Sequence, residues 1–162
     1  MNKIREEAVW KRVMAASEEM PDCGCNPTVK PDRCLSPCQI MELLEHELED
    51  ACTYRTLAGR VKKDIRQILL QLARDEQCHY RRLEAVYYLM TGKRPCPDRP
   101  KAPCVACTNE ELRKRYEAEV EGARHYHCLA EKAGSFAGVF HCLGRDEDRH
   151  ARMILHLLER CL

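Results

Sequence analysis

Aromatic residues are scarce in this chain, which has one Trp, two Phe and six Tyr among 162 residues. It also has almost no net charge, because 27 Lys and Arg are balanced by 26 Asp and Glu. This balance disfavours a broad surface for nucleic acid or anionic membranes. The apolar runs are short and no stretch shows a strand pattern. We therefore expect neither a membrane-spanning segment nor a β-sheet, and the length suits one helical domain with a core.

Residues 1–17 contain no uninterrupted apolar segment, so we expect no signal peptide and a cytoplasmic location. Residues 3–18 are predicted to form an amphipathic helix, anchored by Trp10. The twelve cysteines are numerous for a reducing compartment, where metal binding, redox chemistry or simple packing are the expected uses of a thiol.

Two stretches rich in Pro, Gly and Cys, at 21–38 and 91–109, divide the chain together with a short turn at 134–138. The segments between them favour helix, and the predicted helices are 37–60, 62–91, 109–133 and 137–160. Capping boxes are predicted at the start of the first helix, from Ser36 to Gln39, and of the third, from Thr108 to Glu111.

Each predicted helix carries an apolar stripe at alternating spacings of three and four residues, and each stripe is interrupted at its middle by Glu. The second and fourth helices also carry His three residues later. The interrupting residues are Glu47, Glu76, His79, Glu119, Glu147 and His150. The pattern repeats along the chain: Glu47 precedes Tyr54 by seven residues as Glu119 precedes Tyr126, and Asp75-Glu76-x-x-His79 matches Asp146-Glu147-x-x-His150.

A buried carboxylate is costly unless it is paired or bound to a cation, and four at one level of a bundle would repel each other. Glu and His three residues apart lie on one helix face, where both can reach one ion. A single Glu-x-x-His motif in a Glu-rich helix is more often a solvated face. Two copies on the stripe, each preceded by a helix with a central Glu, indicate a dinuclear metal centre.

Over residues 37–161 these motifs resemble the ferritin-like superfamily, in particular the rubrerythrin and bacterioferritin type of centre. The resemblance implies an all-α fold, an antiparallel four-helix bundle with a long crossover between its second and third helices. The bundle would occupy 36–162, after an N-terminal helix and Cys-rich connector at 1–35.

The resemblance also implies roles for the individual residues. Glu76 and Glu147 would bridge two metals, one held further by Glu47 and His79 and the other by Glu119 and His150. Tyr54 and Tyr126 would hydrogen-bond to ligand carboxylates and take part in the chemistry, and Asp75 and Asp146 would orient the imidazoles. At the position where rubrerythrins usually carry another Glu, three residues after Glu119, this chain has Gly122.

The implied cofactor is a pair of iron ions, with manganese or a mixed pair as alternatives. The implied activity is redox chemistry with O2 or peroxide, as a rubrerythrin-like peroxidase or a ferroxidase acting on Fe(II), with an external electron donor. We expect a homodimer that contacts neither nucleic acid nor membrane. The alternative is a non-catalytic metal-binding or redox-sensing interaction protein that uses its Cys-rich segments.

The cysteines leave several interpretations open. Four of them could bind an additional zinc or iron, form disulfides or remain free thiols: Cys23, Cys25, Cys34 and Cys38. Four others fall inside helices and are predicted to pack: Cys52, Cys78, Cys128 and Cys142. The crossover would place Cys96 at one end of the bundle, and Cys104 and Cys107 at the other near Cys161. The remaining histidines are predicted to be surface or packing residues: His46, His125, His127, His141 and His156.

Overall fold

The computed structural model describes residues 35–161, and this part of the chain is helical with no strand. The predicted N-terminal helix and Trp10 lie outside the described residues, as do Cys23, Cys25 and Cys34. The helices are α1 (Pro37–Ala58), α2 (Lys63–Thr91), α3 (Thr108–Ala130) and α4 (Ala137–Cys161), and a 3-10 turn (Gly134–Phe136) precedes α4.

The start of α1 has the predicted capping box. The Ser36 hydroxyl accepts a hydrogen bond from the Gln39 backbone N–H at 3.2 Å, and the Gln39 side chain accepts one from the Ser36 N–H at 3.0 Å. A cap of this kind contributes about 1 kcal/mol. The box predicted at Thr108 is wrong, because Thr108 is already helical and Cys107 is the N-cap residue, with no side-chain hydrogen bond.

Two apolar clusters show in which direction each helix runs. The Phe140 cluster joins the start of α1, the end of α2, the end of α3 and the start of α4, with core residues Ile40, Leu83, Leu129 and Phe140. The Leu157 cluster joins the four opposite helix ends, with core residues Leu57, Leu69, Leu112 and Leu157. Consequently α2 and α3 run in the same direction, and the segment between them must traverse the length of the bundle.

That segment begins at Gly92, whose φ of 67° ends α2 in the left-handed conformation that favours glycine. It ends beside the other cluster, where Val105 is 5% exposed and packs in the Leu157 cluster. The helices pair as α1 with α2 and α3 with α4, and α2 approaches α4 more closely than α1 approaches α3. None of the four helices is long and apolar enough to cross a membrane.

Eight cysteines in the part of the chain that the structure describes are free thiols. Cys52 and Cys142 are partly buried, but Cys78 and Cys128 are exposed, so the prediction that they pack is wrong. Each lies next to an inward-facing residue, His79 or Leu129. One residue turns a helix by about 100°, which directs the neighbouring thiol away from the core.

Candidate metal centre

Six side chains meet between the Phe140 and Leu157 clusters, and all six come from the interrupted stripes. They are buried, with exposed fractions between 0% and 5%: Glu47, Glu76, His79, Glu119, Glu147 and His150. The structure therefore brings together every residue that the sequence nominated as a metal ligand, in the middle of the bundle.

The imidazole of His79 faces three of the carboxylates. Its Nδ1 lies 2.9 Å from Glu76 Oε2, 3.0 Å from Glu147 Oε1 and 3.3 Å from Glu47 Oε2. These carboxylates come from α2, α4 and α1, so one nitrogen marks a point shared by three helices.

The imidazole of His150 has a matching environment. Its Nδ1 lies 3.0 Å from Glu76 Oε1, 3.4 Å from Glu147 Oε2 and 3.5 Å from Glu119 Oε2. Glu76 and Glu147 thus each direct one oxygen to His79 and the other to His150. Glu47 and Glu119 each face a single imidazole, and the two rings stack with centroids 5.3 Å apart.

The donor atoms in this cluster lack ordinary partners. Within the described residues, the buried atoms without a hydrogen-bond partner include Glu76 Oε1, Glu119 Oε2 and both ring nitrogens of His79 and His150. One ligand atom from each of Glu76, His79, Glu147 and His150 lies within 4.8 Å of the other three. Buried polar atoms normally find a partner, so this N and O donor set fits a metal ion placed between them.

Two tyrosines hold the carboxylates that face one imidazole each, and they do so across the repeat. The Tyr54 hydroxyl on α1 donates a hydrogen bond to Glu119 Oε1 on α3. The Tyr126 hydroxyl on α3 donates one to Glu47 Oε1 on α1. Burial is the main cause that raises the pKa of both phenols, so both remain protonated donors. Each bond leaves the other oxygen of its glutamate directed at an imidazole.

Two aspartates face the outer nitrogens of the imidazoles, again across the repeat. Asp146 Oδ2 lies 3.5 Å from His79 Nε2, and Asp75 Oδ2 lies 3.5 Å from His150 Nε2. Arg82 donates to Asp146 Oδ2 at 3.1 Å. Arg149 donates to Asp75 Oδ2 at 3.3 Å and lies 3.2 Å from Asp146 Oδ1. Such carboxylates fix the orientation of a ligand imidazole and increase its basicity.

Without a metal, the imidazoles are favoured in their protonated form. Burial by itself lowers the pKa of His150, but the nearby carboxylates of Glu119, Glu147 and Glu76 outweigh it and raise the pKa to about 12. The same opposition raises the pKa of His79 far above its usual value, through Glu147, Glu47 and Glu76. In the metal-free protein, the protonated imidazoles therefore carry positive charge that offsets the negative charge of the nearby carboxylates.

The carboxylates divide into two kinds. Burial is the main cause that raises the pKa of Glu47 and of Glu119 well above the usual value of 4.5. Burial also acts to raise the pKa of Glu147, but its contacts with Glu119, His150 and His79 outweigh burial and lower that pKa below the usual range. A site that holds protons in this way must release them when metal binds, because the ligands must be deprotonated.

A cavity of about 440 Å³ opens between α1 and α3 and reaches the centre, where Glu47, Glu119 and Glu147 form part of its wall. Its lining includes four residues that sequence reasoning did not connect with the centre: His46, Asp50, Arg115 and His125. Arg115 donates a hydrogen bond to Asp50 across the cavity. Helical spacing could have shown Asp50, three residues after Glu47, and Arg115, four before Glu119.

No protein-family model, curated protein or solved structure matches this chain. The function must therefore be inferred from the residues of the centre and their surroundings.

Proposed function

We propose that this protein is a ferritin-like oxidoreductase whose four-helix bundle holds two iron ions and reacts with O2 or peroxide. The observation that carries the proposal is the sharing of oxygens within the centre. Glu76 and Glu147 each direct one oxygen to His79 and the other to His150, whereas Glu47 and Glu119 each face only one imidazole. Two positions with a common pair of carboxylates suit two cations better than one.

The helix directions support the same proposal. Two antiparallel helix pairs, with α2 and α3 parallel and joined by a long segment, form the arrangement of ferritin-like bundles with one crossover. Their metal sites use one Glu from each of two helices and a Glu-x-x-His motif from each of the other two, and α1 to α4 carry this set.

In this proposal Glu47 and His79 hold one ion, Glu119 and His150 hold the other, and Glu76 and Glu147 are shared. The bound ions would supply the electron transfer to an oxidant. The protein's part is to fix the ligands and to limit access. The apolar clusters close the centre on both sides along the bundle, and the cavity between α1 and α3 leaves an opening for small reactants.

Metal analysis tests the proposal directly. Protein purified without oxygen and supplied with Fe(II) should hold two irons per chain, and O2 or peroxide should then oxidise them with a change in near-ultraviolet absorption. Manganese or a mixed pair at the same stoichiometry would keep the centre and change the metal. One zinc per chain with no iron uptake would contradict the proposal and favour the non-catalytic, cysteine-based alternative.

The reaction with O2 or peroxide consumes electrons, so an external donor is part of the proposal. The homodimer and the cytoplasmic location likewise remain predictions.

A further inference from the structure

The cavity between α1 and α3 has a wall rich in oxygen ligands. Six of its lining residues are carboxylates: Glu47, Glu49, Asp50, Glu119, Glu121 and Glu147. Glu47, Glu119 and Glu147 belong to the centre, and Glu49 and Glu121 are exposed at the outer side. The wall thus leads from exposed carboxylates to buried ones without leaving the cavity.

The positive charge in this wall is largely offset. Arg115 is the arginine of the lining, and its guanidinium is hydrogen-bonded to Asp50 and lies 3.7 Å from Glu111. His46 and His125 are the imidazoles of the lining and both are exposed. They add nitrogen ligands that suit transition metals when neutral. A cleft with an excess of one sign of charge raises the local concentration of the opposite ion.

The inner end of the cavity has an unpartnered ligand atom. Glu119 is 3% exposed and lines the cavity, and its Oε2 has no hydrogen-bond partner. Gly122 keeps space open at the same end of the cavity, beside Glu147. A methyl group added at Gly122 would lie 3.7 Å from Glu147 Cγ, so glycine leaves room directly against the shared carboxylate.

The other side of the centre differs in charge and in packing. There α2 and α4 lie closer together than α1 and α3 do, and Arg82 and Arg149 form ion pairs with Asp146 and Asp75 beside the centre. The two arginines on this side are matched by two aspartates, whereas the cavity wall has one arginine and six carboxylates. The two faces of the bundle are therefore not equivalent for an incoming metal ion.

We infer that divalent transition-metal ions enter the centre through the cavity between α1 and α3, attracted by Glu49 and Glu121. This inference rests on the proposed function, since it concerns the filling of the proposed centre. In this inference Glu49 and Glu121 attract the ion at the outer side of the cavity, and the ion then passes Asp50. The unpartnered oxygen of Glu119 binds it at the inner end.

The rate of cobalt(II) uptake by the metal-free protein tests the route without any need for catalysis. The charge-reversed protein Glu49→Lys with Glu121→Lys should take up cobalt about tenfold more slowly than the unaltered protein at low salt, as read from visible absorption in a stopped-flow instrument. The difference should shrink at 0.5 M salt, roughly where exposed charges are screened. The final cobalt content should be unchanged, because neither residue is a ligand of the centre.

A matched control comes from the same two helices. Glu42 and Glu117 are also exposed and do not line the cavity, so Glu42→Lys with Glu117→Lys makes the same charge change elsewhere. This protein should load at the unaltered rate. Equal slowing of both double variants, or no slowing of either, would overturn the route.

A neutral obstruction provides an independent test. Ala118 lines the cavity, and Ala118→Leu should slow cobalt uptake at low and at high salt alike, since bulk is not screened. The Ala118→Leu protein tests the route even if the charge-reversed protein does not fold. Cobalt uptake at the unaltered rate in the Ala118→Leu protein would refute the route. An unaltered protein that takes up no cobalt at all would instead contradict the proposed function.

Discussion

Tyr54 on α1 donates its buried hydroxyl hydrogen to Glu119 on α3, so a residue of the first helix pair holds a carboxylate of the second. Tyr126 on α3 in turn donates its hydroxyl hydrogen to Glu47 on α1. Asp75 and Asp146 also face the imidazole of the opposite pair. Each half of the sequence repeat therefore supplies the tyrosine and the aspartate that contact the glutamate and the histidine of the other half.

Replacement of Tyr54 by Phe should lower the free energy of unfolding by about 1–3 kcal/mol, because it leaves a buried carboxylate oxygen without its donor. The metal content should remain measurable, since Tyr54 is not a ligand. Chemical denaturation of the metal-free protein measures the change. Tyr116→Phe, on α3 and away from the centre, is the control and should change stability less. Equal losses of stability in the two variants would show that the Tyr54–Glu119 hydrogen bond does not stabilise the fold more than an ordinary tyrosine hydroxyl does.

The shared and unshared carboxylates should differ in the metal that they retain. Glu76→Ala and Glu147→Ala should reduce both ions, whereas Glu47→Ala and Glu119→Ala should chiefly reduce one. Metal content per chain, measured by mass spectrometry after dialysis, distinguishes these outcomes. Full occupancy in both Glu76→Ala and Glu147→Ala proteins would contradict their assignment as bridges.

The aspartates should act on the ion of the opposite helix pair. Asp146→Asn should weaken the ion at His79, and Asp75→Asn the ion at His150, each by about 10–100-fold in affinity. Competition with a chelator of known affinity measures both effects. Asp148→Asn is the control, because Asp148 contacts His127 at the surface rather than a ligand imidazole. An effect no larger than that of the control would remove the orienting role.

The metal-free protein should become less stable as the pH rises from 6 to 8. The unfolded imidazoles lose protons near pH 6.5, whereas His79 and His150 hold theirs in the fold because their pKa values are raised. Their stabilisation is complete below pH 6.5 and declines above it, by about 1 kcal/mol or more for each imidazole. The raised pKa values of Glu47 and Glu119 act in the same direction above pH 4.5.

Denaturation midpoints in the presence of a chelator, taken at pH 6, 7 and 8, test this dependence. The lowered pKa of Glu147 acts below pH 4.5 and does not enter this interval. A protein with both His79→Gln and His150→Gln should lose the part of the slope that the imidazoles contribute and keep the part that comes from Glu47 and Glu119. A midpoint that rises with pH in the unaltered protein would mean that the imidazoles are not charged in the fold.

The thiols should react in an order set by their exposure. Cys78 and Cys128 should be alkylated in the native protein before Cys52 and Cys142, which are partly buried. Peptide mapping after short treatment with iodoacetamide measures this order. Slow reaction of Cys78 and Cys128 would show that another surface covers them.

Much of the fold could be predicted because helix formation and burial follow local spacing. The apolar stripes place α1 to α4 within a few residues of their observed bounds, and the two Glu-x-x-His motifs mark the inward faces of α2 and α4. The predictions were wrong for two cysteines, Cys78 and Cys128, whose side chains lie one helix position away from an inward-facing residue. The stripe does not include Cys78 or Cys128, and only their rotation about the helix axis places them outside.

The sequence by itself determined that six polar residues occupy one level of a helical bundle, since that follows from helical periodicity and from the repeat. Only the tertiary structure decided how these residues are shared, because a repeat cannot show whether a tyrosine serves its own half or the other. The same holds for the cavity beside Asp50 and Arg115. Its existence depends on the wider gap between α1 and α3, and such a gap arises from the packing of whole helices.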